Sequence, residues 1–317
     1  MKIDKKVIKW TIITALVFVL FFSFLSFYAG KDNLIEALSL FPLGYLPLIL
    51  LLVTSGWLLR GIRWHYYVKK SNINIPFLRS LHIFLASFSL TNTPGKAGEL
   101  VKSLFLKEEY DVPIAKTAGI LVTERLMDLI GVLLMSLGFL FFSFQYVWLF
   151  LIALFLVLFC LAFISFERIY KPILNWFSRF KFLNLISKKV LELLLSSKQL
   201  LNLKIISLSV PLSLLAWVME GVAFFIVLKG FNLPVSLFFA LFVYAISTIA
   251  GALSMMPGGV LGTEGTMIGL FALKGIVFSS VLPSILLIRL CTIWYIPIIG
   301  FFFMIFLLTK KKVSGKR

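Results

Sequence analysis

The sequence predicts an all-α polytopic membrane protein, with about six full transmembrane helices and two re-entrant helical hairpins related as inverted repeats. Three observations carry that fold class: how apolar the chain is, where its basic residues fall, and a short polar block that occurs twice. The 317 residues are 61% hydrophobic and 14% charged, with a mean hydropathy of +1.04, whereas a soluble domain is about half apolar and about a quarter charged. A chain of this composition is solvated by lipid.

Apolar runs rich in Leu, Ile, Phe and Val are long enough to cross a hydrocarbon core near residues 7–29, 45–66, 116–142, 146–166, 206–228 and 280–308. The first follows Lys2, Lys5, Lys6 and Lys9, as a signal peptide would, yet its long apolar stretch and the lack of a clear small-residue cleavage site predict a retained anchor. Residues 76–110 and 234–275 differ: each runs apolar, breaks at a Pro-Gly pair and resumes as a shorter, partly polar helix. Interrupted backbone at membrane depth survives only where protein buries it or a wet cavity reaches it, so each segment is expected to enter and leave on one side. The whole of 1–317 is expected to form a single membrane domain.

Basic residues test this topology. With both segments as hairpins and both termini cytoplasmic, one side collects 25 of the 31 Lys and Arg, and the opposite loops hold only Lys31, Lys229 and Lys274. That bias satisfies the positive-inside rule, and turning either hairpin into a true span spoils it. The same rule explains the net charge of +18 without nucleic acid as a partner; membrane lipids are the expected partners, and homo-oligomerisation is left open. Residues 167–204 mix Ile169, Ile173, Leu174, Phe177 and Phe180 with Lys171, Arg179, Lys181, Lys188 and Lys189, which predicts amphipathic helices lying on the cytoplasmic surface. Cys160 and Cys291 sit in apolar runs and His65 and His82 are isolated, so no disulfide framework, metal or cofactor is expected.

The polar block reads Asn92-Thr93-Pro94-Gly95-Lys96-Ala97-Gly98-Glu99 in the first hairpin and Met256-Pro257-Gly258-Gly259-Val260-Leu261-Gly262-Thr263-Glu264 in the second. Arg125 follows Glu99 by 26 positions, and Arg289 follows Glu264 by 25. Two repeats are therefore expected over 76–142 and 234–308, facing opposite ways because three spans separate their hairpins. Helix breaks at the midplane between inverted repeats are where many secondary transporters hold substrate. Freed amides at a new helix N-terminus favour a phosphate or carboxylate, and a glutamate there can pair with an arginine or with an ammonium group. An intramembrane charge costs about 2.5–3.5 kcal/mol on insertion scales, so it calls for a partner or a role.

On this reasoning the candidate substrate-binding residues are Asn92, Lys96, Glu99, Glu124, Arg125, Asp128, Glu220, Gly258, Gly259, Glu264 and Arg289. Glu124 and Asp128 share a helical face; Glu220 lies mid-span with no partner nearby in sequence. Lys102 is expected to snorkel to the interface, and Arg60 and Arg63 to mark the cytoplasmic end of a span.

The blocks Arg60-Gly61-Ile62-Arg63-Trp64, Asn92 to Glu99, Glu124-Arg125-Leu126-Met127-Asp128 and Pro257 to Glu264, in this order, resemble the lysylphosphatidylglycerol synthase transmembrane-region family. The resemblance implies a polytopic membrane protein and, by analogy with its fused members, movement of aminoacylated phosphatidylglycerol between leaflets of a cell membrane. Only Lys310 to Arg317 follow the last span, so a stand-alone domain without the synthase domain is expected, and the lipid class widens to anionic phospholipids, glycolipids and polyprenyl-linked lipids. The leading reading is a lipid flippase and not an enzyme. Its alternative is an intramembrane transferase on a lipid-linked substrate, with buried carboxylates as bases. No Gly-x-x-x-x-Gly-Lys-Ser/Thr block is present to bind a nucleotide, so transport is expected to be downhill or ion-coupled.

Overall fold

The computed structural model describes residues 36, 38–93, 98–140 and 147–314, and every regular element among them is helical. In chain order these are α1 (Leu46–Lys70), α2 (Phe77–Ser87), α3 (Val101–Tyr110), α4 (Ile114–Leu140), α5 (Val147–Ser165) and α6 (Glu167–Ser178). There follow α7 (Lys181–Leu200), α8 (Leu203–Gly230), α9 (Leu237–Leu253), α10 (Gly262–Leu273), α11 (Phe278–Arg289) and α12 (Tyr295–Ser314). The span expected at 7–29 lies outside the described residues, as do Pro94, Gly95 and Lys96.

Among the described residues four stretches are long and apolar enough to cross a membrane: Leu43–Lys70, Val147–Ser165, Leu203–Gly230 and Phe278–Thr309. Helix α4, with 27 residues, reaches about 40 Å at 1.5 Å per residue, but Glu124, Arg125 and Asp128 interrupt its apolar run. The protein is a multi-pass, all-α membrane protein. Helix α8 is its centre, packed against α1, α4 and α9. Helix α5 is peripheral: it buries only Ala153, Val157 and Ile164, while Phe155, Leu158 and Phe159 point outward. An outward apolar face is what lipid selects.

The same local construction occurs twice. Helix α1 ends at Lys70 and α2 begins at Phe77; α8 ends at Gly230 and α9 begins at Leu237, so both junctions are 160 positions apart. Each junction turns through a left-handed asparagine, Asn72 and Asn232, both at φ 55, a conformation that asparagine tolerates. The next amide then returns into its helix, Ile73 N to Val68 O at 3.2 Å and Leu233 N to Leu228 O at 3.0 Å, closing the six-to-one bond of a Schellman turn. Trp57 and Trp217 keep this spacing, as do Gly61, packed on Leu81, and Gly221, packed on Leu241. The shared geometry thus starts earlier than residues 76 and 234 and takes in α1 and α8.

These two helices run antiparallel. Phe41, just before α1, stacks on Phe231, just after α8, with ring centroids 5.0 Å apart. At the other end, Arg63 of α1 donates a hydrogen bond to Ser213 near the start of α8. Between those ends, equivalent positions meet: a Cβ on Gly56 would lie 2.9 Å from the carbonyl oxygen of Ala216. Two positions 160 apart thus touch each other, as a two-fold relation between these helices would require, and a residue without a side chain lets the backbones close in where lipid gives helices no hydrophobic reason to associate.

Both interrupted segments double back. Arg79 at the start of α2 forms a two-armed pair with Glu109 at the end of α3, Nε to Oε2 at 2.9 Å and Nη2 to Oε1 at 2.5 Å. In the second segment Phe239 of α9 meets Phe271 of α10 edge-to-face at 5.6 Å, and the Lys274 ammonium lies 5.5 Å from the Phe239 ring.

Candidate functional site

Each break carries its glutamate to the arginine that follows it in sequence. In the first repeat Glu99, 3% exposed, accepts from Arg125 of α4 and from the Thr91 hydroxyl at 3.3 Å. The two sides of that break are tied by Thr93, whose hydroxyl donates to Leu90 O at 2.9 Å and accepts from Gly98 N at 2.6 Å. In the second repeat Glu264 accepts from Arg289 Nε at 2.5 Å, and Arg289 Nη2 reaches the carbonyl of Gly258 at 2.6 Å. Gly258 and Gly259 stand at φ 66 and 67, a region nearly closed to other residues. Leu261, at φ 71, holds such a value despite its side chain, the kind of local strain that surrounding structure must enforce.

The two breaks meet. Asn92 donates its side-chain amide to the carbonyl of Ile293 at 3.1 Å, and its Oδ1 lies 3.5 Å from where a Cβ on Gly258 would sit. Ile293 offers that carbonyl because α11 and α12 are joined by a π-helical turn, Leu290–Trp294, and such turns leave carbonyls outside the regular ladder. The span expected at 280–308 therefore carries a π-helical turn just after Arg289, and that turn receives Asn92.

From Glu99 an ion-pair network spreads across the protein. Lys102 lies 3.7 Å from Glu99 and 2.8 Å from Glu124. Arg125 reaches Asp128 at 3.5 Å, Arg63 reaches the same carboxylate at 2.9 Å and Arg60 at 3.9 Å. Arg60 then crosses to Glu220 at 2.5 Å, and Tyr244 donates its hydroxyl to the second oxygen of Glu220 at 2.9 Å. The connected groups are Arg60, Arg63, Lys102 and Arg125 against Glu99, Glu124, Asp128 and Glu220, so the network is neutral. Neutrality and close pairing are what make eight ionised groups tolerable away from water. Aromatic faces help: the Arg60 guanidinium lies 4.2 Å from the Trp217 ring, and Lys102 sits 4.5 Å from Trp64 and 4.8 Å from Phe84.

Exposure sorts these groups. The carboxylates are buried, with Glu124 at 2%, Asp128 at 6%, Glu220 at 5% and Glu264 at 0%. Among the cations of the network, Arg125 alone presents a large share of its side chain, 40%. The most open side chain of the network is thus an arginine, and a guanidinium pairs well with phosphate or carboxylate.

Of the residues expected from sequence, the structure joins Glu99, Glu124, Arg125, Asp128 and Glu220 in this network. Asn92, Gly258, Glu264 and Arg289 gather where the breaks meet, with Gly259 beside them; Lys96 lies outside the described residues. Two expectations are corrected. Lys102 does not snorkel: it is 0% exposed and held by two carboxylates. Arg63 is no marker of a span end, being 1% exposed and bound to Asp128. Arg60 and Tyr244 were also missed, because their partner Glu220 lies 160 and 24 residues away.

A profile of the lysylphosphatidylglycerol synthase TM region matches residues 11–300. The chain belongs to that family. Among its relatives, a UPF0104 membrane protein of Methanocaldococcus jannaschii is 24% identical over 65% of this chain and 88% of its own length. One from Methanothermobacter thermautotrophicus is 23% identical over 86% of each. A third, from Pyrococcus horikoshii, is 28% identical over 37% of this chain, and that alignment spans about a third of the relative, 36%.

Proposed function

We propose that the protein is a lipid flippase, moving a phosphate-bearing polar lipid between the leaflets of a cell membrane with both its termini cytoplasmic. In this reading α2–α3 and α9–α10 are re-entrant hairpins entering from opposite sides, and the antiparallel course of α1 and α8 is the axis of an inverted repeat. The observation that carries the proposal is the partly exposed Arg125 side chain, backed by a neutral network of buried carboxylates and bound to the glutamate of the first helix break. The lipid phosphate would pair with Arg125 while its acyl chains stay in the bilayer. Glu99 and Asp128 hold that guanidinium in place, and Lys102, Arg60 and Arg63 keep their charges balanced. The exposed group in this reading is a cation and the carboxylates beside it are buried, so anionic phospholipids and polyprenyl-phosphate lipids fit it better than amine-bearing headgroups.

The test is leaflet exchange in liposomes of purified protein holding fluorescent phosphatidylglycerol, phosphatidylcholine, aminoacylated phosphatidylglycerol or a polyprenyl phosphate. Exchange of the anionic lipids should fall about tenfold or more in Arg125→Gln, from the loss of a charge-assisted pair, and return in part in Arg125→Lys. Exchange unchanged in Arg125→Gln, or absent for every lipid, would overturn the reading and favour the transferase.

A further inference from the structure

We infer that α6, with Arg179 and Phe180 just after it, forms a docking surface for an anionic leaflet. Helix α6 begins at Glu167, two residues after α5 ends at Ser165, so it starts where the most apolar helix leaves the hydrocarbon layer. One side of α6 is already used: Tyr170 is 0% exposed and packs near Phe163 of α5, at 6.2 Å between ring centroids. The adjoining side is not used. Ile169, Ile173, Trp176 and Phe177, three or four residues apart and so on one face, are 38–54% exposed, and Phe180 follows at 50%. Arg168 and Lys171, with Asn175, occupy the opposite face, and Arg179 lies exposed at the end.

Charge identifies the occupant. Residues 167–204 hold eight basic side chains and two acidic ones, and one of those acids is spent internally. Glu167 pairs with Lys171 at 2.5 Å and with Lys198 of α7 at 2.7 Å. Those two ammonium groups hold its carboxyl down to about 2. A carboxyl with a depressed pKa keeps its pairing above its ordinary range and loses it only as pH falls through about 2, so the clamp between α6 and α7 is intact at any physiological pH. An aromatic and aliphatic face rimmed by Arg and Lys at the edge of a bilayer matches acyl chains below and anionic headgroups beside them. The surface is tied to the network described above, because Ser197 of α7 donates to the carbonyl of Gly119 in α4 at 3.0 Å, one turn before Glu124.

The measurement uses the intact protein in nanodiscs of brominated phosphatidylcholine, with or without phosphatidylglycerol, and reads the tryptophan quenching that disappears in Trp176→Phe. Quenching of Trp176 should be about twofold stronger or more with phosphatidylglycerol, should weaken in high salt, and should lose that difference in Arg168→Glu/Arg179→Glu. Arg168→Lys/Arg179→Lys should keep it, which separates charge from misfolding. Equal quenching with and without phosphatidylglycerol overturns the anionic preference. No quenching in either disc places the face off the bilayer and assigns it to a protein. Neither result depends on whether the protein exchanges lipid.

Discussion

The two repeats share a backbone and differ in charge. Both bring a glutamate after a break onto an arginine about 25 residues later, and both turn through a left-handed asparagine before the hairpin. In repeat 1 the pair is embedded among Lys102, Glu124, Asp128 and Arg63. The corresponding positions of repeat 2, counted from its own glutamate, its own arginine and its own helix α8, are Met267, Ile288, Thr292 and Ala223. There, among the described residues, Glu264 pairs with Arg289 alone, and its Oε2 is buried without a hydrogen-bond partner. Arg289 is 10% exposed by side chain where Arg125 is 40%. Two segments of like local construction therefore carry one extended charge network with a partly exposed arginine and one isolated, buried pair. The comparison separates a pair that holds a break together from a network that the proposed function would put to use.

The largest effect should come from Asp128, which answers three arginines. Asp128→Ala leaves Arg60, Arg63 and Arg125 short of an anion, and removing one partner from a buried ionic set costs about 3–5 kcal/mol. Thermal unfolding in a fixed detergent should show it as the least stable single variant of the network. Next, the repeats should answer the same change differently. Glu264→Gln strands Arg289 against one carbonyl and should cost about 3 kcal/mol. Glu99→Gln leaves Arg125 with Asp128 and should cost about 1 kcal/mol, yet it should disturb lipid exchange more. Equal costs in the two repeats would break the distinction between a structural pair and an accessible one.

A smaller effect is expected where the repeats touch. Gly56→Leu places a branched side chain against the Ala216 carbonyl, already within 2.9 Å of a bare Cβ, and forcing α1 from α8 should cost about 1–3 kcal/mol. Gly269→Ala, whose Cβ would enter open space, is the control and should leave the melting temperature unchanged or slightly higher. If both glycine variants behave alike, the close contact between Gly56 and Ala216 is not what holds α1 to α8.

The polar skeleton was legible in the sequence because charge is rare in apolar runs: Glu99, Arg125, Glu264 and Arg289 stand out, and their spacing pairs them. So were both helix breaks, since Pro and Gly announce them. What could not be read is which buried charges meet across long separations. Arg60 and Arg63 satisfy the positive-inside rule by position alone, and only packing against α8 turns them inward to Glu220 and Asp128. Lys102 follows the same logic, because a snorkelling lysine and a buried one look alike until two carboxylates and two rings surround it. The π-helical turn at Leu290–Trp294 has no proline or glycine within it. The wider repeat did leave a signal in Trp57 and Trp217, Gly61 and Gly221, Asn72 and Asn232, too sparse to notice beside the polar blocks and clear once the junctions coincide.

The finest test exchanges charge across the axis. Arg60 and Glu220 occupy equivalent positions, 160 residues apart, and they pair with each other at 2.5 Å. If the two-fold relation governs this pair, Arg60→Glu and Glu220→Arg should each be destabilising, while the double variant should recover to within about 1 kcal/mol of the parent, a strong coupling in a double-mutant cycle. Recovery should still be incomplete, and the reason is the asymmetry itself. Asp128 lies 3.9 Å from Arg60 and would face a like charge after the exchange, while Tyr244 would lose the carboxylate that accepts its hydroxyl. Adding Asp128→Asn should therefore help the exchanged protein and harm the parent. A double variant no better than the sum of its singles would mean that Arg60 serves Asp128 alone and that the contact with Glu220 contributes little to joining the repeats.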